Sequence, residues 1–467
     1  MITTPAQPAT GFIDESKIAS TLASCQKADP QRVREILSRA KKLKGLEGED
    51  VAVLANIDSR ELTEELFSAA RWVKNEIYGN RLVLFAPLYI SNLCNNECSY
   101  CAFRARNREV ARRALKPAEI AAEVKILIDQ GHKRILMVAG EAYPGRGIQY
   151  VLDAIAAIYK VRSGRGEIRR VNVNIAPLSV EEFKQLKDAG IGTYQLFQET
   201  YHRDTYAKMH TSGPKRDFDW RVNAMDRAME AGIDDVGIGV LFGLYDWKFE
   251  MLAMMQHIRH LEAKFGVGPH TISVPRIEPA IGSETAFRPP HAVSDADFLK
   301  IVAILRLAVP YTGIIMSTRE NAETRRATLA LGVSQISAGS RTDPGGYAEK
   351  QDTAAQFQLG DHRSLDEVVR DVAGLGYAPS FCTACYRMGR TGADFMHLAK
   401  PGLIKRHCDP NALSSCQEYL NDYATPETRK AGEELIQNQM TAMDPAVRAI
   451  SRGLIQRIQD GERDVFV

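Results

Sequence analysis

Three cysteines fall within eight residues of this chain, in the run Cys94-Asn95-Asn96-Glu97-Cys98-Ser99-Tyr100-Cys101. The spacing is CX3CX2C, and it follows directly on an apolar run over 82–93. Thiolates this close in sequence turn toward one point if the chain curls around an inorganic cluster. A [4Fe–4S] cube normally takes four cysteine ligands, so three leave one iron open to hold a substrate or cofactor. The alternative is a zinc knuckle, which pairs one CxxC with a second cysteine or histidine pair at close range; no such pair lies nearby. A second group, Cys382, Cys385 and Cys408, has CX2CX22C spacing and again supplies three thiolates. Spacing alone leaves two readings open there: a second Fe–S cluster, or a structural zinc completed by His397 or His407, since Cys3His is an ordinary zinc set.

These groups need a frame. Residues 13–80 read as helices, one opening at Asp29-Pro30-Gln31 and another over 63–78 with Leu66, Ala69, Ala70 and Val73 on one face. From residue 82 the chain alternates apolar strand-like runs, at 82–90, 134–139, 170–175, 193–198, 235–241, 270–277, 313–317 and 333–338, with amphipathic helices such as 116–130, 179–189, 218–232 and 249–265. Eight βα repeats fit a complete (β/α)8 TIM-type barrel, and so an α/β fold, better than an open sheet. The rhythm stops after residue 341. Residues 341–360 read as a connecting loop, 364–374 as a helix with a Ser364/Glu367 capping box, and 426–460 as two helices. The expected organisation is an N-terminal helical extension over 1–80, with residues 1–12 loose or surface-docked, a barrel over 81–341, and a mainly helical cluster-binding domain over 342–467.

Function in such barrels sits at the C-terminal ends of the strands. The CX3CX2C loop follows the first strand, Gly140-Glu141 the second and Glu199 the fourth, with Gln195 beside it. Gln195 and Glu199 would bond hydroxyl groups of a ligand. Gly237 on the fifth strand permits close backbone approach to a flat ring, or serves packing. Ser317-Thr318-Arg319 follows the seventh strand and reads as a grip for an amino acid, because the forked guanidinium matches a carboxylate. Ser337 and Ser340, one strand on, would hold the amine side. The competing reading pairs Arg319 with Glu320 or Asp343 as a rim salt bridge.

Composition excludes several classes. The chain has 467 residues, is 45% hydrophobic and carries a net charge of +2, so no global field points to nucleic acid or an anionic membrane. Its eight cysteines, six of them in the two tight groups, suit metal sites in a reducing compartment. Cys25 and Cys416 read as ordinary thiols. With no signal-peptide pattern at the start and no long apolar run, the expected location is the cytoplasm.

CX3CX2C with an aromatic residue before the third cysteine resembles the signature of the radical S-adenosylmethionine (SAM) enzymes. Gly140-Glu141 sits where those enzymes carry a glycine-glutamate element, here with Ala139 in place of the usual first glycine. With both cysteine groups placed, the chain resembles the HydG family, radical SAM tyrosine lyases that mature [FeFe]-hydrogenase. The related 2-iminoacetate synthases of thiamine biosynthesis share the barrel but lack the C-terminal cysteines. The resemblance implies a [4Fe–4S] cluster with SAM at Cys94, Cys98 and Cys101, and cleavage of the Cα–Cβ bond of L-tyrosine to p-cresol and dehydroglycine. It also implies a second [4Fe–4S] cluster with an additional iron at Cys382, Cys385 and Cys408, where the fragment becomes CO and cyanide. His270 matches that iron's histidine ligand, and Arg319 the carboxylate-binding arginine, with Ser317 and Ser340 as neighbours. Implied partners are SAM, L-tyrosine, free cysteine, an electron donor such as a ferredoxin or flavodoxin, and other hydrogenase maturation proteins. Two readings remain beside it: a lyase that stops at dehydroglycine, and a non-catalytic Fe–S carrier or scaffold. Since His270 precedes the sixth strand, it belongs at the barrel end opposite the first cluster. A strand of seven residues spans roughly 23 Å, so the two clusters should stand about 20–25 Å apart, joined by a tunnel through the barrel.

Overall fold

Acidic and hydroxyl caps start the N-terminal helices, as the sequence suggests. Asp29 accepts a hydrogen bond from the Arg32 backbone with Pro30 at the first helical position of Pro30–Ala40, and Ser59 caps Arg60–Tyr78. The latter buries Leu62, Leu66, Ala69, Ala70, Val73 and Ile77 along one stripe and packs on the helix Asp295–Ala308, outside the sheet. The structure, a computed structural model, describes residues 11–145, 147–349, 354–399 and 403–467. Most of the segment expected to be loose, and part of the 341–360 loop, lie outside them.

The strands in chain order are β1 (Arg81–Ser91), β2 (Arg134–Ala139), β3 (Arg162–Ser163), β4 (Gly166–Glu167), β5 (Arg170–Asn174), β6 (Tyr194–Gln195), β7 (Val236–Gly239), β8 (Thr271–Ser273), β9 (Gly313–Met316), β10 (Val333–Ser337) and β11 (Ala378–Ser380). β3 and β4 form a small antiparallel hairpin. Every other pairing is parallel, in the order β10-β9-β8-β7-β6-β5-β2-β1-β11, and β10 also pairs with β1, which closes the barrel. The fold is the closed eight-stranded α/β barrel that the βα repeat predicts.

Three departures matter for the site. β6 is far shorter than 193–198, although Leu196 and Gln198 still bond the carbonyls of Gly237 and Gly239. Glu199, at the end of that run, sits at φ 73°, a left-handed conformation uncommon outside glycine, and still bridges Val240 in parallel. The helix expected over 218–232 breaks at Asn223 into Phe218–Val222 and Ala224–Glu230. Finally, β11 is a ninth strand, unforeseen because it has three residues and contains Pro379. Barrel stagger leaves the lower edge of β1 uncovered by β2, which pairs with it only from Ala86 onward. β11 fills that gap, with Arg81 opposite Ala378 and Val83 opposite Ser380, and runs straight into Cys382.

The C-terminal part is thereby welded to the barrel floor. The helix Lys405–Asp422 carries Cys408 and a buried ion pair to the barrel, Arg169 Nη2 to Glu418 Oε1 at 2.6 Å. The helices Leu365–Gly374, with its Ser364/Glu367 capping box, Pro426–Ala442 and Pro445–Gln459 stand where expected.

Candidate functional site

The loop after β1 is pinned from several sides. Arg112 donates to the carbonyls of Asn92, Phe103, Arg104 and Asn107. The segment 209–213 clamps the other flank, since the amides of Glu97 and Ser99 bond the carbonyls of Ser212 and Met209, both at 2.9 Å. His210 is buried, and burial depresses its basicity well below the usual imidazole range. The ring is therefore neutral: its Nδ1–H donates to the Tyr206 carbonyl at 2.8 Å, and Nε2 accepts from the Tyr100 hydroxyl at 2.8 Å. Gly140 matters sterically here, because a Cβ would lie 2.3 Å from the Leu93 carbonyl oxygen.

Cys94, Cys98 and Cys101 line one cavity of about 180 Å³ at the C-terminal mouth of the barrel. Gly140, Glu141, Gln195, Glu199, Ser317 and Arg319 line it too. The two glutamates carry their charge despite burial. Burial works to raise both, but Arg221 and Lys215 outweigh it and hold both below the usual carboxylate range. Arg221 Nη1 stands 3.0 Å from Glu141, its Nη2 3.3 Å from Glu199, and Lys215 Nζ 2.6 Å from Glu199. Asn96, inside the cysteine loop, donates to Glu141 at 2.8 Å. Arg221 and Lys215 escaped the sequence reading because they follow β6 by many residues and sit on no strand end.

The opposite wall suits an amino acid. The Arg319 guanidinium stacks on Phe357 at 3.3 Å and has no ion pair among the described residues. The rim pairing considered for it fails with Glu320, which binds Arg276 instead, Nε to Oε1 at 2.9 Å. Glu278 lines the same wall with no hydrogen-bond partner among the described residues; burial and Glu320 push it up to about 7. Tyr89 donates to Gln356 at 2.7 Å, whose amide reaches Cys101 at 3.7 Å. Glu278, Gln356 and Phe357 went unnoticed because loop residues between elements show no periodic signal.

Two expected residues fall elsewhere. Gly237 does not line the cavity; a Cβ there would meet Thr271 Oγ1 at 2.5 Å and Gln195 Cγ at 2.9 Å, so the bare backbone makes room for the protein's own interior side chains. Ser340 is buried outside the lining with its hydroxyl unpartnered, while Ser337 lines the cavity and accepts from the Thr318 amide at 3.1 Å.

At the other end, Cys382, Cys385, Cys408 and His270 line a cavity of about 50 Å³. The His270 amide bonds Val236 and its carbonyl accepts from Gly313, which fixes it at the foot of β8 between β7 and β9. Burial lowers its pKa, favouring the neutral ring a metal ligand requires. Its Nδ1 and both oxygens of Asp235 are buried without hydrogen-bond partners. Arg81, Arg134 and Arg390 line the same space. Neither His397 nor His407 does.

The upper end fits a cluster better than a single ion. Among the described residues no three Cys, His, Asp or Glu come close enough to hold one metal ion. A zinc site needs that convergence, whereas a cube bonds each thiolate at a different iron and needs them spread around a wider void. The donors are soft thiols, unpaired as disulfides. Burial pushes Cys94 up to about 11 and raises Cys98 and Cys101, so in the free chain all three are protonated thiols whose protons a binding metal would displace. The two cavities share no lining residue, which interrupts the tunnel expected from the sequence. They are lined by adjacent layers of side chains, because Val83, Gly313 and Gln335 line the lower cavity and Phe85, Ile315 and Ser337, each two residues on, the upper. Thiol-lined space at both ends of one barrel permits two separate reactions on one chain.

Comparison with known proteins agrees with this layout. Residues 88–257 match the model of the radical SAM superfamily, and residues 273–378 that of the biotin and thiamin synthesis associated domain. The chain is 31% identical over 344 residues to 2-iminoacetate synthase of Escherichia coli, which covers 73% of this chain and 89% of that protein. Among solved structures it is similar to HydG, described as a maturase of the [FeFe]-hydrogenase, at 51% identity and a TM-score of 0.95, covering 98% of this chain and 100% of that one. It is also similar to the HydG of Carboxydothermus hydrogenoformans at 42% identity and a TM-score of 0.85, with 97% and 100% covered.

Proposed function

The chain belongs to the HydG family of radical SAM enzymes, and from that membership we propose that it is a tyrosine lyase whose two thiol-lined cavities act in succession. The first cleaves the Cα–Cβ bond of L-tyrosine to p-cresol and dehydroglycine. The second converts that fragment to CO and cyanide on an iron-loaded cluster, for building the hydrogenase cofactor. The observation that carries this reading is three cysteines in a cavity at each end of one barrel.

A [4Fe–4S] cluster with SAM, which membership of the superfamily brings, supplies reductive cleavage of the sulfonium and a 5′-deoxyadenosyl radical when bound at Cys94, Cys98 and Cys101. The protein's part is binding and proton control. Glu141, Glu199 and Gln195 accept hydrogen bonds from the donors of SAM. The first two are kept ionised by Arg221 and Lys215, and Gln195 brings a buried carbonyl oxygen with no other partner. Arg319 holds the substrate carboxylate, with the Ser317 hydroxyl nearby. Glu278 faces the same head group and takes the proton that the ammonium must lose before an N–H hydrogen atom is removed. At the other end Cys382, Cys385 and Cys408 hold the second cluster, and His270 the additional iron.

The deciding experiment supplies reconstituted enzyme with SAM, tyrosine and dithionite, then measures p-cresol by chromatography and CO by haemoglobin trapping. Both products are expected. Formation of p-cresol without CO would refute the second step, and SAM cleavage indifferent to tyrosine would refute the first.

The Glu278 assignment makes its own prediction. A carboxyl at about 7 in the free enzyme is protonated as pH falls through that value. The kcat/KM for p-cresol should therefore fall about tenfold per unit well below pH 7. Glu278→Gln should lower the plateau and remove that acidic limb. An unchanged limb in the variant would assign the titration to another group.

A further inference from the structure

We propose that the outer face of the cysteine loop, marked by Arg106 and Arg108, is the docking site of a small acidic one-electron carrier protein. The inference rests on the reading of the upper cavity as a cluster site. That site consumes electrons from outside: one to cleave the sulfonium, and a second, with a proton, to turn the hydroxybenzyl fragment into p-cresol. The donor is a reduced low-potential flavin or iron–sulfur protein, oxidised by one electron at each encounter.

Cys94 marks the place. It lines the inner cavity and also an outer groove of about 430 Å³ that Arg108 and Arg112 line from the solvent side. No other cysteine of the loop lines that groove.

Between Cys101 and Leu115 the chain carries five arginines, and three have internal duties. Arg104 pairs with Glu97 at 2.7 Å and bonds the Gly282 carbonyl at 2.6 Å. Arg113 pairs with Glu119 and Glu349. Arg112 spends its donors on neutral carbonyls, so its charge is uncompensated. Arg106 and Arg108 are exposed, and neither side chain has a partner among the described residues. Neither loop geometry nor packing asks for them. Arg216 is likewise exposed, on the segment where Gly213 seats against Asn95 and Asn96. The acidic groups of this face are Glu97, consumed by Arg104, and the exposed Glu109, Asp217 and Glu284, set against the exposed Arg106, Arg108, Arg216 and Arg288 and the unpaired Arg112. Local positive charge on a chain of net charge +2 is a feature of this face and not of the whole protein.

The face also offers an anchor. Phe287 is 58% exposed, and Arg288 beside it is exposed as well. They lie just past Ile281 and Gly282, which Asn107 and Arg104 tie to the cysteine loop. An exposed aromatic among arginines is the composition of protein-recognition surfaces, and matched charge chiefly sets on-rate and salt dependence.

The test uses the reconstituted enzyme, flavodoxin hydroquinone as the probe, and dithionite as a chemical reductant that needs no docking. Arg106→Glu combined with Arg108→Glu should weaken flavodoxin binding, read by biolayer interferometry at low salt, by about tenfold or more. It should slow flavodoxin-driven p-cresol formation at sub-saturating carrier in proportion, and leave the dithionite-driven rate unchanged. Arg216→Glu, on the other flank, should act in the same direction. Unaltered flavodoxin binding and turnover in both variants would overturn the proposal. A wild-type enzyme that makes no p-cresol even with dithionite would instead overturn the cluster reading on which it rests.

Discussion

Cys385→Ala enzyme is expected to keep making p-cresol at close to the wild-type rate while its release of CO falls below detection, and Cys382→Ala should behave alike. The reason is distance along one barrel. The cavity holding Cys382 and Cys385 shares no lining residue with the one holding Cys94, Cys98 and Cys101. Cys385 sits in the four-residue helix Ala384–Arg387, just past β11, so its removal leaves every barrel strand intact. It removes one of the three thiols that line the lower cavity, leaving Cys382 and Cys408. Cys98→Ala is the contrast: it removes a ligand from the upper cavity and should abolish p-cresol and CO together. Product analysis on the three variants checks the division of labour. Iron and sulfide analysis checks it independently, because Cys385→Ala should lose about one cluster's worth while the upper cluster's paramagnetic resonance signal persists. Loss of p-cresol in Cys385→Ala would mean the two ends work as one site.

The placement of the two cysteine groups at opposite ends could be read from sequence because it follows from strand direction. Cys94 comes after a strand and His270 before one, and in a parallel barrel those positions are opposite ends. The same logic placed Glu141, Glu199 and Arg319 together on one rim. It failed where position on a strand does not decide what a residue faces. Gly237 is on the right strand, but interior side chains fill the space its missing Cβ leaves. Ser340 lies only three residues beyond Ser337, yet the chain has already turned its hydroxyl out of the cavity. Arg221 and Lys215 were invisible for the opposite reason. Their importance comes from charge balance, two buried cations answering two buried carboxylates, and no linear pattern announces that partnership.

β11 was hidden by length. Three residues including a proline make a poor strand in isolation, and only the gap that stagger leaves beside β1 gives them a partner. That gap explains why a second cysteine-bearing unit can close a barrel floor at all. It also limits the interior. With the floor closed by Cys382, Cys385 and Cys408, the lower cavity is a space separate from the upper one, which begins at the next layer of side chains.

Arg319→Met is expected to lower kcat/KM for tyrosine by about two to four orders of magnitude while leaving SAM binding intact. In the free enzyme this guanidinium lines the cavity with Phe357 stacked on it and no ion pair among the described residues. Burial lowers its pKa from the ordinary arginine value even with Glu278 on the same wall, a cost of desolvation that no ion pair offsets. A substrate carboxylate settles that imbalance with two parallel hydrogen bonds. Removing one partner of such a desolvated pair costs about 3–5 kcal/mol, which converts to the stated loss. Arg319→Lys should recover little, because an ammonium neither forks onto a carboxylate nor stacks on Phe357 as a planar group does. Folding stability separates this reading from a structural one. An arginine that served the fold would destabilise the protein when replaced, whereas an unpaired cation waiting for substrate should leave the melting temperature of Arg319→Met unchanged or raised. The decisive combination is steady-state p-cresol kinetics beside calorimetry. A kcat/KM within threefold of wild type would remove Arg319 from the substrate site.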